Sequence, residues 1–189
     1  GENEPRAWAA SDRIGGSPGE VDALWPNPWR GVVINEFLAH TDDPVLDFIE
    51  LFNAGDAPVD LSDCLLTDRS ATNKFRIPMG TVLTTHGFVS FDQHQLGFAL
   101  NSAGETISLI SADQTRVLDA VRFGGQENGV STGRSPDGGP DIRRLAAATP
   151  AAPNAPWREA DVVFNEVMYH PISGDIAYEY VELHNQSRA

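Results

Sequence analysis

Cysteine and lysine are almost missing from the sequence. The shortage of cysteine excludes an intrachain disulfide, and the shortage of lysine argues against a nucleic-acid partner. The 189 residues contain one cysteine, Cys64, so no disulfide can form within the chain and cysteine usage does not indicate the compartment. Cys64 lies in the apolar run Cys-Leu-Leu, which favours a small buried side chain over a reactive thiol. Lys74 is the single lysine, and Arg143-Arg144 is the single adjacent basic pair. Because phosphate binding needs clustered basic side chains, nucleic acid is excluded as an expected partner.

Positive charge is scarce overall. Thirteen Lys and Arg stand against 27 Asp and Glu, which gives a net charge of -14 spread along the chain. This excess keeps a surface soluble and makes a divalent cation a better candidate than an anionic membrane. No apolar run approaches the length of about 18 residues that a bilayer requires, so no membrane insertion is expected. No signal peptide pattern is recognised either, and we expect any targeting segment to lie outside this sequence.

Turn-forming residues are plentiful, with 17 Gly and 13 Pro, and no segment shows a sustained helical period. Short alternating runs between these turns indicate β-strands. Seven strands are predicted, at residues 32–38, 46–52, 64–67, 74–77, 88–91, 106–110 and 117–123. This pattern is typical of an all-β protein with an immunoglobulin-like β-sandwich fold.

An internal repeat organises the chain. The stretch VVINEFLAHTDD, Val32–Asp43, returns as VVFNEVMYHPIS, Val162–Ser173. The alignment pairs Asn35 with Asn165, Glu36 with Glu166, His40 with His170, Glu50 with Glu182 and Asn53 with Asn185. Two strands and their connecting loop are therefore duplicated.

The repeat predicts three segments. Residues 1–29 are predicted to be the tail of a preceding module, 30–154 one complete module, and 155–189 a linker with the first hairpin of a following, truncated module. Four tryptophans lie beside prolines at the predicted junctions: Trp8, Trp25, Trp29 and Trp157. Their position favours rings packed between consecutive domains, with a glycan-stacking platform as the alternative.

The repeated acids are the candidate site. Alternation along the strands places Glu36 on the face of Ile34, and Glu50 on the face of Phe48 and Phe52. If the two strands pair antiparallel, the two carboxylates approach each other. Such a pair must share a proton, bind a cation or meet an arginine.

Three interpretations of these acids remain open. In the first, the glutamates accept hydrogen bonds or pair with Arg76 or Arg122. In the second they form a calcium site, whose ligands would be Glu36, Asp47, Glu50 and the loop residue Asp42 or Asp43. In the third they are a catalytic pair, although no accompanying nucleophile or cleft signature is visible.

Histidine, asparagine and serine residues carry weaker signals. His40 recurs as His170, and we expect a turn or cap residue because no second zinc ligand lies at the required spacing. Asn35 and Asn53 are expected to bond backbone groups at strand ends. Ser135, in the motif GRSPDGG, lacks the context of a nucleophile elbow. No catalytic residue and no tightly bound cofactor are therefore predicted.

The order of motifs resembles a known family. The segments VVINEF, DFIELFNAGDAPVDLSDCLLTD, KFRIPMGTVLTTHGFVSF, LGFALNSAGETISLISADQTRVLDAVRFGG, GRSPDGG and ATPAAPN, between Val32 and Asn154, look like a bacterial lamin-tail domain. The resemblance implies an immunoglobulin-like sandwich in a large bacterial protein. The family commonly has Trp where Cys64 stands, and an aromatic residue such as Phe75 or Phe88 is expected to fill that space.

The resemblance implies a non-catalytic module of a secreted or surface protein, which acts as a spacer, adhesion or interaction domain. Expected partners are other domains of the same polypeptide and an extracellular protein or polysaccharide. Two alternatives stay open: a calcium-stabilised binding module, and an accessory domain to a hydrolase or nuclease encoded outside this sequence. Because one fold hosts many functions, the site must decide between them.

Overall fold

A computed structural model describes residues 18–19, 28–68, 74–159 and 162–186. The chain forms two compact units, the first at Gly1–Trp157 and the second at Arg158–Ala189. The predicted division into residues 1–29, 30–154 and 155–189 stays a prediction. Trp8 and Trp25 lie outside the described residues.

The first unit consists almost entirely of short antiparallel strands. They are β1 (Val32–Leu38), β2 (Phe48–Asn53), β3 (Val59–Asp60), β4 (Leu65–Thr67), β5 (Phe75–Arg76), β6 (Val82–Leu83), β7 (Phe88–Asp92), β8 (Thr106–Ile110), β9 (Val117–Arg122), β10 (Thr132–Arg134) and β11 (Ile142–Arg144). One four-residue helix, α1 (Gln93–Leu96), begins with the Asp92 capping box and ends at Gly97. The predicted all-β class is confirmed.

The strands form a five-stranded sheet, a four-stranded sheet and a small two-stranded sheet. The five-stranded sheet has the order β11-β10-β1-β2-β7, the four-stranded sheet β5-β4-β8-β9, and the small sheet is β3-β6. Apolar side chains of the two larger sheets meet in one core, which includes Ile34, Phe37, Ile49, Leu51, Leu66, Ile107 and Leu109. This is the predicted immunoglobulin-like sandwich.

Cys64 belongs to this core as a fully buried free thiol. Burial raises its pKa to about 11, so the thiol stays protonated and unreactive at neutral pH. Phe75 packs against the core and against Phe91, with ring centroids 4.9 Å apart. Phe88 instead stacks on Phe52. The interpretation of Cys64 as a small buried side chain is confirmed.

A β-bulge in β1 corrects one prediction from alternation. Ile34 pairs with Leu51, but the next pair is Glu36 with Glu50, so Asn35 is the extra residue. Paired residues share a face, and Glu36 therefore lies on the outer face of the sheet, opposite to Ile34. The prediction that these two residues share a face was wrong, because one inserted residue reverses the alternation.

The second unit contains the duplicated hairpin, formed by β12 (Val162–Met168) and β13 (Tyr180–Asn185) with a 3₁₀ turn at Ile176–Tyr178. Its register repeats that of β1 and β2: Phe164 pairs with Leu183, Glu166 pairs with Glu182, and the same bulge separates the two pairs. The likeness seen in the sequence is thus also a likeness of backbone geometry.

Candidate functional site

The two repeated glutamates of the first unit lie side by side beneath one segment of the chain. Glu36 and Glu50 are direct cross-strand partners, and neither side chain is exposed. The segment Leu145–Asn154, here called the capping segment, crosses them. Thr149 donates its backbone N–H to both Glu36 oxygens at 3.1 Å, and its hydroxyl donates to Oε2 at 3.0 Å. Ala151 donates its N–H to Glu50 Oε2 at 2.6 Å.

The bulge residue Asn35 ties this pair to two further loops. Its Nδ2 donates to Glu50 Oε1 at 3.0 Å and to Asp137 Oδ1 at 2.9 Å. Its Oδ1 accepts the N–H of Gly138 at 3.0 Å, and its backbone carbonyl accepts from Asn154 Nδ2 at 3.1 Å. Every polar group of the bulge side chain is thus satisfied, as buried polar groups require.

A partly buried ion pair binds the strand just before the bulge. Ile34 donates its N–H to Asp119 Oδ2 at 2.8 Å and accepts from Arg134 Nε at 2.9 Å. Arg134 Nη2 and Asp119 Oδ2 lie 3.1 Å apart. Sequence reasoning missed both residues. The motif GRSPDGG was the available signal, because it supplies Arg134, Asp137 and Gly138 to the bulge.

Glycine at position 133 lets the capping segment approach the bulge. Gly133 pairs with Glu36 across β10 and β1. A Cβ atom there would lie 2.7 Å from the Asn35 carbonyl oxygen and 2.8 Å from Asn154 Nδ2. The first glycine of GRSPDGG is therefore required by close approach.

Burial changes the acidity of both glutamates. Desolvation raises the pKa of Glu50 to about 7, against hydrogen bonds from Asn35 and Ala151 that lower it. Desolvation likewise raises the pKa of Glu36, against donors at Ser131 and Thr149. Glu50 can therefore hold a proton near neutral pH, while the oxygens of both glutamates bind the capping segment to the sheet.

The other two acids proposed as calcium ligands have their own partners. Asp47 accepts the Leu100 N–H at 3.0 Å and the Thr41 hydroxyl at 2.9 Å, and Asp42 accepts from Asn128. The structure thus brings Glu36 and Glu50 together and holds Asp47 and Asp42 elsewhere by separate contacts. Within the ranges described, no three His, Cys, Asp or Glu side chains are grouped as a metal site. The calcium site stays a prediction.

The arginine partners expected for the glutamates are corrected. Arg76 contacts Asp63, with Nη1 3.4 Å from Oδ1, and Arg122 is exposed on β9. Glu36 and Glu50 accept N–H groups instead, which confirms the other half of that interpretation. Backbone donors satisfy a buried carboxylate without bringing a second charge out of water.

His40 and Asn53 both contact backbone carbonyl groups. His40 Nδ1 lies 2.9 Å from the carbonyl oxygen of Gln126, so it holds a loop as expected. It borders a cavity of about 250 Å³ that Asp47 and Leu100 also line. Asn53 donates to the carbonyl of Ala57 at 2.8 Å, which confirms its predicted backbone role.

The two described tryptophans contact the first unit itself. Trp29 packs partly buried against the core, and its Nε1 donates to the Asp60 carbonyl at 3.0 Å. Trp157 lies under the Arg143 guanidinium, 4.0 Å from the ring centroid. Each ring is thus at least partly covered by its own unit.

Part of the first unit matches a known protein family. Among the described helices, none has the length and apolar character needed to cross a membrane. No curated protein matches the chain. The family model described as Lamin Tail Domain matches residues 27–125, the region from the residues just before β1 to just past β9. Lamin-tail domains are immunoglobulin-like and non-catalytic, and with this match over half of its length the chain belongs to the lamin-tail domain family.

Proposed function

We propose that the chain is a non-catalytic spacing and interaction module of a large bacterial protein that is secreted or held at the cell surface. Its partners are other domains of the same polypeptide, and an extracellular protein or polysaccharide is the further class of ligand. The role requires no nucleic acid, no membrane insertion and no cofactor.

One observation carries the proposal: the side chains best suited to chemistry hold the fold together. Both oxygens of Glu36 and both oxygens of Glu50 accept hydrogen bonds, and Thr149 and Ala151 of the capping segment are among the donors. Asp119 is occupied by Ile34 and Arg134. Carboxylates fixed in this way stabilise structure and have no free oxygen to present to a substrate.

The net charge of -14 supports the class of partner. An acidic surface keeps linked modules soluble and apart, because neighbouring copies repel one another within a Debye length of about 8 Å at physiological salt. It also disfavours nucleic acid and anionic lipid. Spacing and protein or polysaccharide contact are the functions that remain compatible with it.

An assay panel tests the non-catalytic part. The purified chain, E36Q and E50Q are each incubated with nucleic acid, phosphate esters, carboxylic esters and glycosides. We expect no turnover above buffer for any of the three proteins. Turnover by the parent chain that E50Q abolishes, with the circular dichroism spectrum unchanged, would contradict the proposal.

A binding array tests the interaction part. The labelled chain is applied to immobilised polysaccharides, matrix proteins and a second lamin-tail domain. Saturable binding to at least one of these classes is expected at physiological salt. Binding confined to DNA or to anionic vesicles would overturn the proposed partners.

A further inference from the structure

The second hairpin repeats the glutamate arrangement of the first at the level of single hydrogen bonds. In the first hairpin, Asn35 Nδ2 donates to Glu50 Oε1 at 3.0 Å. In the second, Asn165 Nδ2 donates to Glu182 Oε1 in the same way. Glu166 stands opposite Glu182 across the strands, as Glu36 stands opposite Glu50. The repeated sequence therefore produces the same arrangement of carboxylate hydrogen-bond acceptors in both hairpins.

The surroundings of the two glutamate pairs differ. In the first unit the capping segment covers the outer face and delivers the N–H groups of Thr149 and Ala151 to the carboxylates. In the second unit Glu166 and Glu182 are exposed. The first unit thus shows which kind of segment these four carboxylate oxygens are arranged to bind.

We propose that the outer face of the second hairpin is a receptor for a capping segment of the same chemistry as residues 145–154. Glu166 and Glu182 accept two backbone N–H groups, two residues apart, from an extended Thr-Pro-Ala-Ala-Pro-Asn type of segment. Strand pairing adds to the contact, because β1 pairs with β10 along the edge that corresponds to β12. The opposite, apolar face of this hairpin plays no part in the proposal.

One residue distinguishes the two sites and competes with an incoming segment at the second. The Tyr180 hydroxyl donates to Glu166 Oε1 at 2.6 Å. The corresponding residue of the first hairpin is Phe48, which has no hydroxyl, and there Glu36 receives Thr149 instead. Tyr180 therefore occupies an oxygen that the incoming segment needs, so the two compete for Glu166.

This inference deepens the proposed function, since it names one partner of the interaction module: the capping segment of a lamin-tail domain. Its failure would leave the non-catalytic role untouched, because the assay panel measures turnover and not peptide binding. Binding of the chain to polysaccharides or matrix proteins in the array would still support the interaction role.

The test uses the full chain and a fluorescent synthetic peptide of residues 132–157, which holds β10, β11 and the capping segment. Fluorescence anisotropy is expected to show saturable binding. E166Q and E182Q are each expected to weaken binding by about tenfold, the factor that corresponds to the loss of about 1.4 kcal/mol. Y180F is expected to strengthen it, because the competing hydroxyl is gone.

Matched controls fix the position of the peptide. E159Q changes an exposed glutamate of the second unit that precedes β12 and lies outside the repeated pattern, and it is expected to leave the affinity unchanged. A peptide N-methylated at the position of Ala151 lacks one of the two N–H donors and is expected to bind about tenfold more weakly. Absence of binding by the parent chain would overturn the proposal. Binding that E166Q and E182Q leave unchanged would also overturn it, since the peptide would then lie elsewhere.

Discussion

The two hairpins have the same register and bulge but different surroundings. Ile34 is 1% exposed and Leu51 0%, whereas their counterparts Phe164 and Leu183 are 76% and 61% exposed. Backbone pairing and the bulge are therefore properties of the hairpin sequence itself, because they occur with and without a covering sheet. Burial, and every chemical property that depends on burial, is supplied by the rest of the first unit.

The glutamates show what this difference does to chemistry. Glu50 is fully buried beside Glu36, and desolvation raises its pKa to about 7. Glu182 occupies the same register position and is exposed to water. The duplicated pair of glutamates is thus buried in the first unit, where it binds the capping segment. In the second unit the pair is exposed to solvent.

The largest expected difference in stability comes from truncating equivalent leucine side chains, one in each hairpin. L51A leaves a cavity in a closed core and is expected to lower the free energy of unfolding by about 2–5 kcal/mol. L183A removes an exposed side chain and is expected to change it by less than about 0.5 kcal/mol. Urea denaturation followed by tryptophan fluorescence measures both. Equal losses in the two variants would show that both hairpins are buried to the same degree in solution.

The pH dependence of stability comes next in size. The folded state binds a proton at Glu50 up to its raised pKa of about 7, whereas in the unfolded chain the carboxyl releases the proton near its usual pKa of 4.5. The free energy of unfolding is therefore highest at the acidic end and falls by roughly 3 kcal/mol as the pH rises from about 5 to 8. The raised pKa of Glu36 acts in the same direction.

A variant at Glu50 tests this pH profile. Hydrogen bonds from Ser62 and Ser111 lower the pKa values of Asp60 and Asp113, which moves both groups away from this pH window. E50Q is expected to flatten the decline in the free energy of unfolding between pH 5 and 8. The measurement is urea denaturation at four pH values. A parent protein that gains stability across this range would refute the assignment.

Substitution of Gly133, which lies against the bulge, is expected to have a smaller effect on the free energy of unfolding. G133A places a methyl group 2.7 Å from the Asn35 carbonyl oxygen, and the backbone must shift to admit it. A loss of about 1–3 kcal/mol in the free energy of unfolding is expected. G125A is the matched control, because a Cβ at Gly125 meets nothing within 4 Å. Thermal melts of both variants give the comparison, and equal melting temperatures would remove the close contact as a constraint.

Calcium is expected to have the smallest effect on either hairpin. The oxygens of Glu36, Glu50 and Asp47 already accept hydrogen bonds, and a cation would have to displace those donors. Melting scans with millimolar calcium and with chelator should therefore coincide. A ligand present at 100 times its dissociation constant adds about 2.7 kcal/mol, so a rise of that size would establish the calcium-stabilised alternative.

Much of the fold could be predicted because its signals are local. β1 and β8 have the predicted bounds, β7 is one residue longer than predicted, and the ends of the other predicted strands differ by one to two residues. β10 and β11 were missed because Thr-Gly-Arg and Ile-Arg-Arg show no alternation of apolar residues. The face of Glu36 was wrong because alternation assumes an unbroken strand, and nothing in a period-two pattern marks the extra residue Asn35.

The sequence by itself determined the all-β class, the duplicated hairpin and the approach of Glu36 to Glu50. All three follow from contacts between residues that are close along the chain or joined by one turn. The tertiary structure alone decided what these glutamates do. Thr149 lies 113 positions from Glu36, and Ala151 lies 101 positions from Glu50. Only a closed sandwich brings such distant groups together and removes the water that would otherwise keep the carboxylates as ordinary surface acids.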